Sequence, residues 1–203
     1  MPIPVNEINV HWSKIFSPIP GFKTDHQNNL FIEREMIPVI FVPGTMGSRL
    51  RNRATQEKVW DPDYNKLMFA SYGAFDVTPA MRKALLVGAE FSPERLEVIE
   101  DDEVHHATSL PQHGMGDCAG RGWGGIFWGA YGGFLKELQR HEWTEPICHC
   151  FEFPVHAFGY NWTASNDDSG KKLAAYINDV IAIYKNAGRL CEKVILITHS
   201  MGG

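Results

Sequence analysis

Nothing in this sequence approaches the roughly 20 consecutive apolar residues that a membrane-crossing helix needs. Its start, Met1 to Lys14, lacks a basic segment followed by an apolar run, so no secretory signal is read there. A cytoplasmic location is the expectation, with specialised secretion leaving no mark of this kind. Positive charge is also scarce. The formal net charge is -5, and no basic stripe runs along any segment, which argues against a nucleic-acid partner. Cysteines are few. Cys118, Cys148, Cys150 and Cys191 have neither zinc-ribbon spacing nor a dense disulfide pattern, and buried free thiols are the plainer reading. No internal repeat or low-complexity tract is present.

What remains is the composition of an ordinary globular chain. At 203 residues, with 44% hydrophobic and 21% charged residues, it is long enough to bury a sizeable core. Residues 1–35 carry prolines 2, 4, 18 and 20 and a polar stretch from Lys23 to Asn29, the composition of an extended arm. His11 and His26 have no partner spacing there and read as surface residues.

The pattern sharpens at the other end. Val194 to Ile197 is an apolar, β-branched run that predicts a buried strand of a parallel sheet. It leads into Thr198-His199-Ser200-Met201-Gly202, a G-x-S-x-G nucleophile elbow with threonine in place of the first glycine. Such a turn holds the serine in a strained conformation with Oγ exposed, and small residues let the next segment pass close by. Gly202 and Gly203 meet that need. The plain alternative is a strand end with a Ser-x-Gly turn.

A second strand, Met36 to Val42, runs into the glycine-punctuated loop Pro43-Gly-Thr-Met-Gly-Ser-Arg-Leu50. Such a loop lets the backbone amide of Thr45 face a reacting carbonyl while the amide of Met201 faces it from the elbow. Two preorganised donors at a developing oxyanion each lower the barrier by about 3 kcal/mol.

Residues 38–50 resemble the oxyanion-loop segment of the lecithin:cholesterol acyltransferase-like branch of α/β-hydrolases, which includes lysosomal phospholipase-like and bacterial lipase-like members. Val59-Trp-Asp-Pro-Asp63 resembles the tryptophan-containing segment that follows this loop. Phe158-Gly-Tyr-Asn-Trp-Thr163 resembles that family's Tyr-Asp-Trp-Arg segment, with Asn161 for the aspartate and Thr163 for the arginine. The elbow is the fourth block, and all four occur in family order across residues 38–203. The resemblance implies a serine hydrolase or O-acyltransferase acting on acyl esters, with Ser200 as nucleophile. It implies a small-molecule or lipid ester substrate, allows transient contact with a membrane surface, and calls for no cofactor and no metal.

Between the loop and the next strand, about residues 51–125 read as an insertion, since ordinary connections are far shorter. Thr78 to Val87 predicts a short helix. The acidic run Glu97 to Glu103 with His105-His106 reads as a solvated face rather than a metal site, having no helical ligand pairing. Gly114 to Gly133 is glycine-rich and threaded with Trp123, Phe127, Trp128 and Tyr131, which suits either a mobile apolar flap or close packing on a sheet. Tyr131 to Arg140 predicts a helix with Phe134, Leu135 and Leu138 as its apolar stripe, and Cys148 to Val155 a strand. Asn166 to Ser169 offers cap chemistry for a helix whose apolar face is Leu173, Ile177, Val180, Ile181 and Tyr184, stopped by Gly188.

The expected fold is α/β, an α/β-hydrolase-type, mostly parallel sheet over residues 36–203, incomplete because the chain reaches its end at the elbow. In this fold the acid and base follow the serine in the chain. The 203 residues therefore read as an N-terminal fragment, inactive alone, whose exposed sheet edge is a liability. Two other classes stay open: an amidase or peptidase on the same fold, and a non-catalytic product or binding module.

Overall fold

A computed structural model describes residues 34–64, 68, 72–73, 77–87, 93–99, 119–145 and 147–203. The arm up to residue 33, His105-His106, Cys118 and most of the acidic run lie outside the described residues.

The predicted strand from Met36 to Val42 forms in two pieces, β1 (Glu35–Met36) and β2 (Val39–Val42). Pro38 causes the break, because it has no N–H to give the ladder. Its carbonyl still accepts from Ile195 N at 2.9 Å, so pairing continues through it on one side. The run predicted as one strand from Cys148 to Val155 differs more. Ile147–Cys150 is a single helical turn, and Phe151–Glu152 and Val155–Ala157 are two short strands separated by Phe153-Pro154. Cys148 and Cys150, expected as buried free thiols, are free and half-buried on that turn.

The strands, numbered in chain order, are completed by β3 (Leu50–Asn52), β4 (Lys58–Trp60), β5 (Leu96–Val98), β6 (Phe151–Glu152), β7 (Val155–Ala157) and β8 (Ile195–Thr198), and the helices are α1 (Pro79–Val87), α2 (Trp128–Arg140), α3 (Ile147–Cys150) and α4 (Asn166–Asn186). The main sheet has the order β7-β2-β8, all parallel, with Val39 opposite both Val155 and Ile195. β1 and β6 form a separate two-stranded parallel pair just before β2 and β7 in the chain. Segments between Leu50 and Val98 form a separate antiparallel sheet, β4-β3-β5. This is an α/β fold with a mostly parallel sheet, as the alternation of strands and helices predicts.

β2 lies at the centre, and its alternate residues feed two cores. Val39 and Phe41 pack on one face with Trp123, Ile126 and Leu135; Leu135 comes from α2 (Trp128–Arg140). Ile40 points the other way, to Val180 and Tyr184 of α4 (Asn166–Asn186) and to Cys191. Both faces are covered, so all four residues of β2 are buried. The predicted stripe of α4 holds, with Leu173, Ile177 and Ile181 partly buried around Val180 and Tyr184. Gly188 adopts φ 77° after it, the left-handed conformation that glycine supplies without strain. On α2, Leu135 is fully buried while Phe134 is exposed, though its ring still lies 5.5 Å from that of Phe41. The described part of the glycine-rich segment, residues 119–133, packs: Trp123 is fully buried, and its indole N–H donates to Val155 O at 3.0 Å.

β8 departs from the expected buried strand. Ile195 and Leu196 are 41% and 43% exposed, and among the described strands only β2 pairs with it. No helix among the described residues is long and apolar enough to cross a membrane.

His156 of β7 is the main titratable group inside this core. It is 2% exposed, its Nε2 lies 2.7 Å from the Tyr184 hydroxyl, and its Nδ1 has no partner. Burial, aided by the charge of Arg121, lowers its pKa from 6.5 to about 3. The folded state therefore holds His156 neutral where the unfolded chain would protonate it. Its contribution is complete above pH 6.5 and is lost on acidification toward pH 3, at about 1.4 kcal/mol per pH unit. Urea unfolding measured across that window should show the slope, and His156→Gln should flatten it.

Candidate active site

Because β2 pairs with β8, the loop after β2 and the turn after β8 emerge side by side. His199 N donates to Val42 O at 3.0 Å, which carries the ladder to the very end of both strands. Ser200 then takes φ 54°, a left-handed conformation that costs a non-glycine residue strain. A single 3-10 turn, Ser200–Gly202, follows and is closed by Gly202 N donating to His199 O at 3.0 Å. Ser200 is exposed, and no described residue hydrogen-bonds its hydroxyl. Met201 sits in the first turn of that segment, where N–H groups lack intrahelical acceptors.

The loop meets this turn through glycine. A Cβ on Gly44 would stand 2.9 Å from Ser200 Cβ and 3.1 Å from both Nδ1 and the carbonyl oxygen of His199. A Cβ on Gly202 would stand 2.6 Å from the carbonyl oxygens of Val42 and Pro43. Thr45 follows Gly44 at the exposed tip, and its hydroxyl donates to Met201 Sδ at 3.5 Å. The structure thus brings Thr45, Ser200 and Met201 together. Met46 next in the loop has φ 63°, so two strained residues flank the same small region.

The tryptophan segment and the 158–163 segment are the braces of this loop. Trp60 Nε1 donates to Met46 O at 3.0 Å. Asp61, 1% exposed, receives a bidentate pair from Arg49 at 2.9 and 2.8 Å, and Arg49 also donates to Gly124 O. Lys58 adds a charge 3.4 Å from the same carboxylate. Asp63 accepts from the N–H groups of Trp128 and Gly129, both at 2.7 Å, and so caps α2. Ser48 accepts at Oγ from Tyr160 N and at its carbonyl from Trp162 Nε1. Asn161 donates to Pro93 O and Leu96 O while its Oδ1 accepts from the N–H and hydroxyl of Thr163. The neutral Asn161–Thr163 pair therefore locks this corner without an ion pair.

Two features escape sequence reading. Tyr131 Oη lies 3.0 Å from His199 Nδ1 and receives Gly44 N–H at 3.4 Å, joining residues far apart in the chain. The Tyr160 hydroxyl is buried with no partner, and burial raises its pKa. Among the described residues no group of three or more His, Cys, Asp or Glu is arranged to hold a metal ion.

The glycine contacts have a direct consequence. Gly202→Ala meets backbone oxygens that have little room to move, and should lower stability by about 1–3 kcal/mol. Gly44→Ala should do so less but displace the loop. Gly133→Ala, inside α2 with nothing within 4 Å of its Cβ position, should instead stabilise by roughly 0.5–1 kcal/mol. Thermal or urea unfolding of the three variants checks this ordering.

Comparison with known proteins places this geometry in a family. Among solved structures, the chain is similar to one in the crystal structure of the Tle4–Tli4 complex, with 28% identity and a TM-score of 0.57. The match covers 84% of this chain and 42% of that one, so this chain spans less than half the length of the protein it resembles. No curated protein matches it. The family described as the PGAP1-like alpha/beta domain matches residues 33–203, a stretch that contains both strand ends, the loop and the elbow, and the chain belongs to that family.

Proposed function

We propose that this chain carries the nucleophile and the oxyanion loop of a serine hydrolase acting on acyl esters of lipids. The observation that carries this reading is the strained, exposed Ser200 held against the loop that contains Thr45. Membership of a hydrolase-type fold family and the lipase-like motif blocks support it, the latter through the resemblance to the lecithin:cholesterol acyltransferase-like branch. In this reading residues 36–203 are one hydrolase-domain segment, with about 51–125 as its insertion and 1–35 as an arm.

The chemistry follows from elementary requirements. A serine hydroxyl attacks a carbonyl only when a base takes its proton, so Ser200 Oγ forms the bond to the acyl carbon as a histidine accepts that proton. The carbonyl oxygen becomes an oxyanion, and the amides of Thr45 and Met201 receive it. Among the described residues no acceptor takes the Thr45 N–H, which leaves that donor for a ligand. The alcohol leaves with the proton from the histidine, and water or a second alcohol releases the acyl group. None of the described histidines hydrogen-bonds Ser200, and His199 is turned to Tyr131. The base and its acid follow the serine in the chain in this fold.

The protein expressed from its native gene, assayed with p-nitrophenyl esters of graded chain length, should hydrolyse them with a preference for longer acyl groups. Ser200→Ala should reduce kcat by about 10⁴-fold or more without changing the unfolding transition. Retained activity in that variant, or preference for amide over ester substrates, would reject the reading.

A further inference from the structure

α2 carries one polar atom into the junction between the loop and the elbow. The Tyr131 ring packs 4.9 Å from that of Phe41, and a Cβ on Gly47 would come within 3.0 Å of its Cε2. A phenylalanine would fill that space as well. The hydroxyl is therefore free of any packing role, and it is this atom that bridges Gly44 N–H on the loop and His199 Nδ1 on the elbow.

The geometry points to Tyr131 as a positioning residue that sets the distance between the oxyanion loop and the nucleophile, an assignment that rests on the serine-hydrolase reading above. In this assignment the phenol oxygen accepts from Gly44 N–H while its own O–H donates a hydrogen bond to His199 Nδ1. With the phenol as donor His199 carries its proton on Nε2, and the residue before Thr45 is tied to the residue before Ser200. The donor at Thr45 and the nucleophile at Ser200 are then spaced by one hydrogen-bonded relay rather than by chain connectivity.

Why α2 can serve as the anchor is also visible. Asp63 holds its first two amides at 2.7 Å, and Leu135 is fully buried one turn beyond Tyr131. Tyr131 is thus fixed at both ends of its own helix segment. Because Asp63 lies in the insertion, the placement of α2, and through it the loop-to-serine spacing, depends on that segment being seated.

The test is Tyr131→Phe in the protein expressed from its native gene, with two readouts. A small displacement of a donor costs rate and not binding, so kcat should fall about 10- to 100-fold while KM stays within about twofold. Long-range ¹H–¹⁵N spectra should show the Nδ1 resonance of His199, identified by its loss in His199→Gln, moving in Tyr131→Phe with the other histidines unmoved. An unchanged kcat in a protein whose hydrolysis depends on Ser200 overturns the assignment and leaves the hydrolase reading standing. If hydrolysis does not depend on Ser200, the hydrolase reading fails, and with it the catalytic part of this assignment. The His199 resonance then decides the relay alone: unmoved, it overturns that too.

Discussion

The constraint on which this structure depends is a backbone contact with no room for a Cβ. Gly44 touches Ser200 and His199, and Gly202 touches the carbonyls of Val42 and Pro43, so two loops from neighbouring strands close on each other at van der Waals distance. Strand pairing makes that contact possible. β2 pairs with β7 on one side and β8 on the other, and the ladder runs to His199 N–Val42 O before either chain turns away. A serine strained at φ 54° persists only when its surroundings over-determine it, and here the glycine contacts and the 3-10 turn do so.

Rigidity of the loop comes from elsewhere in the chain. Arg49 and Asp61 form a buried bidentate pair, and the Arg49 guanidinium is further held by Gly124 O. A buried ion pair adds little net stability, since desolvation offsets most of the attraction, but breaking one is costly. Geometrically it joins the loop, the end of the small antiparallel sheet and the segment before α2. Trp60, Trp162 and Tyr160 then pin Met46 and Ser48 from three directions. The motif blocks recognisable in the sequence are, in the structure, the parts that hold one loop still.

Legibility followed the range of the interactions. The strained turn at Ser200, the glycine loop after β2 and α4 could be read because their signals are local: a motif, a glycine pattern, a helical stripe ending at Gly188. The breaks at Pro38 and Pro154 were visible as prolines, yet whether a proline interrupts a strand depends on which edge of the sheet it faces. The turn at Ile147–Cys150 was misread because Cys148 to Val155 has strand-like composition, and its one helical turn is too short to show a period. β3, β4 and β5 are three residues each, below the length at which alternation is informative. The Tyr131–His199 bridge spans 68 positions and has no sequence signature at all. β8 looked buried because its residues are apolar; its exposure reflects which described strands pair with it, a fact of topology rather than composition.

The proposed function makes the Thr45 loop and the Ser200 turn one catalytic junction. The most direct measurement is a crystal structure of the protein expressed from its native gene after reaction with an alkyl phosphonate, a mimic of the tetrahedral intermediate. Such a junction should show phosphorus bonded to Ser200 Oγ and one phosphonyl oxygen about 2.7–3.1 Å from both the Thr45 and Met201 amide nitrogens. Phosphorus on another residue, or an oxygen that leaves the Thr45 amide unengaged, would contradict it.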